Sequence, residues 1–398
     1  MDSLENIGIR HFNTLGLSGR LFEREEDFIV REIEEDGEVL NVERTEPNIP
    51  GDKKDYLVFT LVKRGISTPE AVRFLSRNLH ISFKRIAYNG NKDKRALTSQ
   101  RMSIFKFDAE KLRIDSDRIF VRDLTYSDTP CKIGKLYGNS FKVTVKDFEV
   151  NGRDLDEIGK EISDGVPNFY GPQRFGSSSL NIEVSKSMLR GDFKSAFFSL
   201  VLKERADSRI NAEKRRALRE SLNLEDISGS GAEKTKEVLK TLPGFMYFER
   251  ESISYLLEHK NDYAGAIRLM PKYARLIILQ SFQYYVFNET LSRLLDNNER
   301  NIPEEIPTIG YDAEINSDID EITTGILSRE GIDKDMLKMK SMPEASLKTF
   351  SRKIWIKPEN FKIERGESTA TVSFSLKKGE YATIVLFRLF GAPLNNQL

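Results

Sequence analysis

The hydrophobic pattern changes character twice along this 398-residue chain, and that double change constrains the fold more than any single motif. Up to about Gly176 the chain reads as mixed α+β. Tyr56-Leu57-Val58-Phe59-Thr60-Leu61-Val62 is rich in β-branched and aromatic residues and predicts a strand. Ser67-Thr68-Pro69-Glu70 supplies a hydroxyl cap, a first-turn proline and an acid behind it. A helix starting there carries Val72, Phe74 and Leu75 inward and ends near Asn78. A strand is expected at Arg85 to Tyr88. Phe141, Val143 and Val145 alternate with Lys142, Thr144 and Lys146, the period of a half-buried strand. Asp154 to Ile162 reads as a short amphipathic helix. From roughly Ser177 to Met342 the pattern is helical. Asp192 can cap a helix through Phe193, Ala196, Phe197, Leu200 and Val201, and Ala212 to Ser221 is a charged helix. Pro271 breaks the next run. Beyond it, Ile277, Tyr284 and Leu291 share one face, with Phe287 and Leu294 beside them, and the apolar density predicts burial on most sides. From about Lys353 strands return, at 354–356, 361–363 and 369–375, before a turn at Lys377 to Glu380 and a closing helix from Tyr381 to Phe390. The sequence α+β, mostly α, then β predicts one domain inserted into another, divided as 1–176, 177–345 and 346–398. An insertion of this kind preserves the parent fold when its ends lie close together.

Composition limits the function classes. Lys+Arg and Asp+Glu both number 62, so the net charge is zero, which argues against an RNA-coating protein but not against an enzyme with a local basic surface. Cys131 is the single cysteine, so an intrachain disulfide and a cysteine-type metal site are excluded. His11, His80 and His259 are far apart and lack ligand spacing. The polar start and the lack of a long apolar run predict a cytoplasmic setting without a membrane span. Gly229-Ser230-Gly231-Ala232-Glu233-Lys234-Thr235 has Glu233 where a phosphate-binding loop needs glycine, and reads as a linker.

Three stretches could carry chemistry. Between Lys84 and Arg101, the cations Lys84, Arg85, Lys92, Lys94, Arg95 and Arg101 surround one acid, Asp93. Such a surface draws phosphates by charge and counterion release. A lone acid among cations is expected to stay ionised, as a nucleophile or base requires, and Gly90 is expected to permit a tight turn and a close substrate. Taken alone, a turn residue on a solvated loop is the stronger interpretation of Asp93. Pro167-Asn168-Phe169-Tyr170-Gly171-Pro172-Gln173-Arg174-Phe175-Gly176 offers aromatic faces and hydrogen-bonding groups for single-stranded RNA, although loop aromatics more often fill a core. Tyr137-Gly138-Asn139-Ser140-Phe141 could stack on and hydrogen-bond an everted base, or place a core phenylalanine in a strand.

Together these stretches resemble the TruD family of tRNA pseudouridine synthases, in its archaeal form. Gly90 to Gln100 matches the family's aspartate-bearing segment, and Asn168 to Gly176 and Gly138 to Phe141 match two others. Glu26 to Val30, Gln280 to Asn288, and Gly379 to Thr383 followed by Arg388 are similar to further family segments, in the family's order across nearly the whole chain. The resemblance implies a catalytic core with a mixed, largely antiparallel sheet, formed by 1–176 and 346–398, and an inserted, mostly helical α/β domain at 177–345. It implies an isomerase that converts uridine, at position 13 of tRNA in known members, to pseudouridine, with tRNA as partner and with no cofactor or metal. It maps the catalytic aspartate onto Asp93, the base-stacking phenylalanine onto Phe141 and the active-site asparagine onto Asn139. Lys92, Asn168 and Arg174 complete the expected substrate-binding set. The family often carries a lysine shortly before the Glu-Asp-Phe segment. Leu21 or Phe22 stands there instead, with Arg20 and Arg24 nearby, so the basic companion of Asp93 is left unassigned. The rival reading is a non-catalytic tRNA-binding or chaperone protein on the same scaffold. A methyltransferase would need a nucleotide-type cofactor site, and the sequence offers no glycine-rich strand–turn–helix that qualifies.

Overall fold

The computed structural model describes residues 4–10, 12–48, 50–114, 116–176, 179–203, 209–221, 232–296, 302–314 and 317–391. The chain forms two compact units, each built from two stretches. A sheet unit comprises Asn13–Asn168 and Trp355–Leu398, and a helical unit comprises Met1–Phe12 and Phe169–Ile354.

In chain order, the sheet unit contributes β1 (Leu17–Arg20), β2 (Phe28–Ile33), β3 (Tyr56–Arg64), α1 (Thr68–Asn78), β4 (Ile86–Tyr88), β5 (Leu97–Phe105), β6 (Ile119–Ser127), β7 (Gly138–Val150), α2 (Leu155–Asp164) and β8 (Val166–Pro167). The helical unit follows with α3 (Leu180–Leu189), α4 (Phe193–Leu202), α5 (Arg209–Ser221), α6 (Ala232–Lys240), α7 (Tyr247–Glu258), α8 (Tyr263–Arg268), α9 (Lys272–Asp296), β9 (Glu305–Thr308), α10 (Asp318–Arg329) and β10 (Phe350–Lys353). The chain then returns to the sheet unit through β11 (Trp355–Ile356), β12 (Glu359–Arg365), β13 (Thr369–Lys377) and α11 (Ala382–Phe390).

The nine-stranded sheet runs β12-β13-β7-β2-β5-β3-β6, with β1 beside β7 and β4 beside β5. Only β2 and β5 pair in parallel, so the fold is α+β with a mixed, largely antiparallel sheet. The late strands β12 and β13 complete the sheet next to β7, which is why the chain must come back after the helical stretch. Trp355 of β11 lies opposite Pro167 of β8, so the sheet unit is left and re-entered at adjacent backbone positions.

The helix predicted at Ser67 starts there because Ser67 Oγ accepts from the Glu70 amide (3.3 Å) while the Glu70 carboxylate accepts from the Ser67 amide (2.7 Å). Its Ala71, Val72 and Leu75 are buried with Leu57, Phe59, Leu61, Met102 and Ile104 of β3 and β5. In the helical unit, α9 begins directly after Pro271 and buries Leu279, Phe282, Tyr284, Phe287, Leu291 and Leu294. Ile277 departs from the predicted stripe and is exposed.

The units divide the chain at 12/13, 168/169 and 354/355. Phe169, Tyr170 and Phe175 are buried in the helical unit. There Asn288 of α9 accepts from the Tyr170 amide (2.8 Å) and donates to the carbonyls of Tyr170 (3.0 Å) and Ile7 (2.9 Å). One buried asparagine thus ties both outlying segments to α9. Ala232 to Thr235 of the expected linker begins α6, while Gly229 to Gly231 and His11 lie outside the described residues. Among the described residues, no helix is long and apolar enough to cross a membrane.

Candidate active site

Strand register places a set of side chains on one face of the sheet. Paired residues point the same way, so Lys63 (β3), Thr98 (β5), Val30 (β2), Phe141 (β7) and Phe374 (β13) form one row. Two residues along, Glu32 and Asn139 share that face with Gln100. Gly138 allows this arrangement: a Cβ there would stand 2.0 Å from the Leu376 carbonyl oxygen of β13.

The segment carrying Asp93 lies against this face and is held along its length. Gln100 donates to the Gly90 carbonyl (3.0 Å) and accepts from the Thr68 hydroxyl (2.9 Å), which in turn accepts from the Lys92 amide (3.0 Å). Glu32, fully buried, accepts from Lys92 Nζ (2.6 Å), Asn89 Nδ2 (3.2 Å) and the Arg101 amide (3.1 Å). Lys63 Nζ donates to the carbonyls of Ile66 (2.8 Å), Lys92 (3.3 Å) and Asp93 (2.7 Å). With its backbone fixed in this way, Asp93 projects a carboxylate that accepts no side-chain hydrogen bond among the described residues. The side chain stays open to solvent, yet the protein packed around it raises the carboxyl above its ordinary value, against the opposing pull of Lys63 and Lys92. A raised carboxyl is a stronger base. The expectation that neighbouring cations dominate is therefore reversed in direction.

The other expected residues have mixed fates. Asn139 Oδ1 and Thr98 Oγ1, both on the Asp93 face, are buried without a hydrogen-bond partner. Phe141 is 5% exposed and lies in an offset stack between Phe28 (6.1 Å) and Phe374 (5.3 Å), so both broad sides of its ring are flanked. Lys92 is buried in an ion pair with Glu32. Asn168 is buried, and Arg174, half-buried, belongs to the helical unit. The aromatics of 168–176 fill the core: Tyr170 stacks on Tyr284 at 3.9 Å and lies under the Arg352 guanidinium at 4.1 Å. Gly90 has neither a left-handed backbone nor a tight neighbour, so its predicted conformational role is not realised.

The expected basic surface is largely neutralised. Lys92 and Arg101 are buried in ion pairs with Glu32 and Glu34, Arg85 holds the carbonyls of Phe105 and Lys106, and Lys94 pairs with Glu70 at 3.0 Å. Lys84 and Arg95 remain exposed with no ion pair among the described residues. A cavity of about 460 Å³ opens on the opposite side of the sheet, where Glu34, Glu35 and Asp36 meet Arg101. Its acidic rim suits phosphate poorly, and it does not contain Asp93.

Sequence reasoning missed Lys63. The available signal was its register: within β3 it falls two residues from Leu61, on the buried face, where an unpartnered ammonium is costly. Arg20, a candidate for the basic companion, is instead paired with Glu23 and Asp147 at the surface.

The model of the family described as tRNA pseudouridine synthase D (TruD) matches residues 6–307 and 298–389. The chain belongs to the TruD family. That membership places it among the isomerases. A relative from Methanosarcina mazei, named "Probable tRNA pseudouridine synthase D", is 30% identical over 96% of this chain and 96% of its own length. One from Nanoarchaeum equitans with the same name is 30% identical over 87% of this chain and 89% of its own. A crystal structure of a Methanosarcina mazei protein, provisionally named tRNA pseudouridine synthase D, superposes with a TM-score of 0.74 at 27% identity, covering 99% of this TruD chain and 98% of that one.

Proposed function

We propose that this TruD protein isomerises uridine to pseudouridine in tRNA, at position 13 as the family does, with Asp93 as the catalytic carboxylate. One observation carries the reading: the one exposed acid of the 84–101 stretch is fixed by its backbone to the sheet face that holds Phe141 and two unpartnered polar atoms. The reaction breaks the bond from C1′ to N1, turns the uracil, and joins C1′ to C5. The proton lost from C5 balances the one gained at N1, so nothing enters or leaves. Asp93 serves this chemistry either by attacking C1′ or by taking the C2′ proton, and a raised carboxyl strengthens it in both roles.

Asn139 Oδ1, a buried acceptor without a partner, would be satisfied by an imide N–H of the everted base once that base enters the site. Eversion costs a few kcal/mol, which contacts elsewhere on the tRNA must offset. Lys84 and Arg95, both exposed, are the cations of the Asp93 stretch suited to those phosphates. Mapping pseudouridine in tRNA from cells lacking the protein tests the reading: the modification at the target site is expected to vanish and to return with the wild-type gene but not with Asp93→Asn. Retention of all pseudouridines in those cells would refute the assignment.

A further inference from the structure

Lys63 has no surface exposure, lies on a strand paired on both sides, and is 30 residues from Asp93, yet two of its three hydrogen bonds go to the Asp93 segment. All three acceptors are backbone carbonyls, and the ammonium closes no ion pair among the described residues. A buried charge satisfied only by carbonyls costs stability relative to an apolar residue in the same place, and its retention calls for a use. The carbonyl it grips most closely on that segment, at 2.7 Å, belongs to Asp93 itself, so Lys63 sets the position from which the carboxylate leaves the backbone. The carbonyl of Ile66, the third partner, is the fixed end of this clamp, ahead of the capped start of α1.

From this geometry we infer that Lys63 is a positioning residue for Asp93: its three-carbonyl clamp holds the aspartate at reacting distance, and it acts without touching the substrate. The inference rests on the proposed catalytic role of Asp93. The surroundings fit. Burial lowers the Lys63 ammonium to about 8, with Lys92 acting in the same direction, while the charges of Asp93 and Glu70 hold it up. Asp93 thus helps to keep charged the group that holds it.

A positioning role predicts loss of turnover with retained binding, because a misplacement of about 1 Å can cost on the order of 100-fold in rate. Lys63→Met keeps the length and removes the donors, and Lys63→Gln keeps donors without charge. Single-turnover pseudouridine formation, tRNA affinity and thermal unfolding are measured for both, beside wild type and Asp93→Asn. The expected result for Lys63→Met is a rate down about 100-fold or more, tRNA affinity within about twofold of wild type, and a cooperative melt; Lys63→Gln recovers part of the rate. Lys63→Met at a wild-type rate overturns the inference, as does a parallel fall in rate, affinity and melting temperature. Should Lys63→Met fail to fold, Lys63→Gln decides: a folded Gln variant with wild-type rate sinks the clamp. An Asp93→Asn protein with full turnover is a different outcome and removes the catalytic reading itself.

Discussion

At the scale of residues, the site is a study in the difference between side chains that look free in a sequence and those that are. Six cations between Lys84 and Arg101 suggest an open basic surface, but four are bound to carboxylates or carbonyls. Partners such as Glu32, Glu34 and Glu70 lie 24 or more residues away in the chain, so no local pattern reveals them. Phe141 teaches the same lesson. Its motif marks the right strand, and its burial follows from Phe28 and Phe374, which only the sheet order brings beside it. Phe141→Ala is therefore expected to lose about 3–5 kcal/mol of stability, the cost of a large buried ring, with activity falling partly for that reason. Denaturant unfolding checks this, and a variant within 1 kcal/mol of wild type would mean that the ring is not packed as described.

At the scale of elements, the loop from Asn89 to Lys94 owes its shape to the strands around it. The Glu32–Lys92 pair has almost no exposed side-chain surface and also absorbs Asn89 and the Arg101 amide. Removing one partner leaves a buried charge uncompensated. Glu32→Ala is expected to cost about 3–5 kcal/mol, and adding Lys92→Met to it is expected to cost less than Lys92→Met costs in the wild type. A double-mutant cycle of Glu32→Ala, Lys92→Met and the two together, followed by urea unfolding, measures this, and a double-mutant cost equal to the sum of the single costs would show the pair to be uncoupled. Local elements were well marked in the sequence where a local cause exists: the Ser67 cap, the alternation through Val143, the break at Pro271. Lys63 was not, because its role needs the pairing of β3 with β5 and the path of a later loop.

At the scale of the whole molecule, the double change in pattern does correspond to two units, with the crossing points set by packing rather than by composition. The 168–176 segment carries motif residues, and its aromatics from Phe169 onward are core of the helical unit. The close pairing of Pro167 with Trp355 leads to a direct expectation. Replacing 169–354 with a short glycine–serine loop should leave a sheet unit that unfolds cooperatively, since both halves of its sheet are still present. Calorimetry on that deletion decides the matter; a molten, non-cooperative product would show that the sheet unit depends on the helical one.

The central claim is that the Asp93 carboxylate performs the chemistry. Its most direct test is single-turnover pseudouridine formation on unmodified tRNA, with the Kd for that tRNA measured alongside, for wild type and Asp93→Asn. This exchange keeps the side chain's size and leaves the backbone clamp untouched. The account predicts product from wild type, none above background from Asp93→Asn, and equal tRNA affinity for the two. Substantial pseudouridine formation by Asp93→Asn would contradict it.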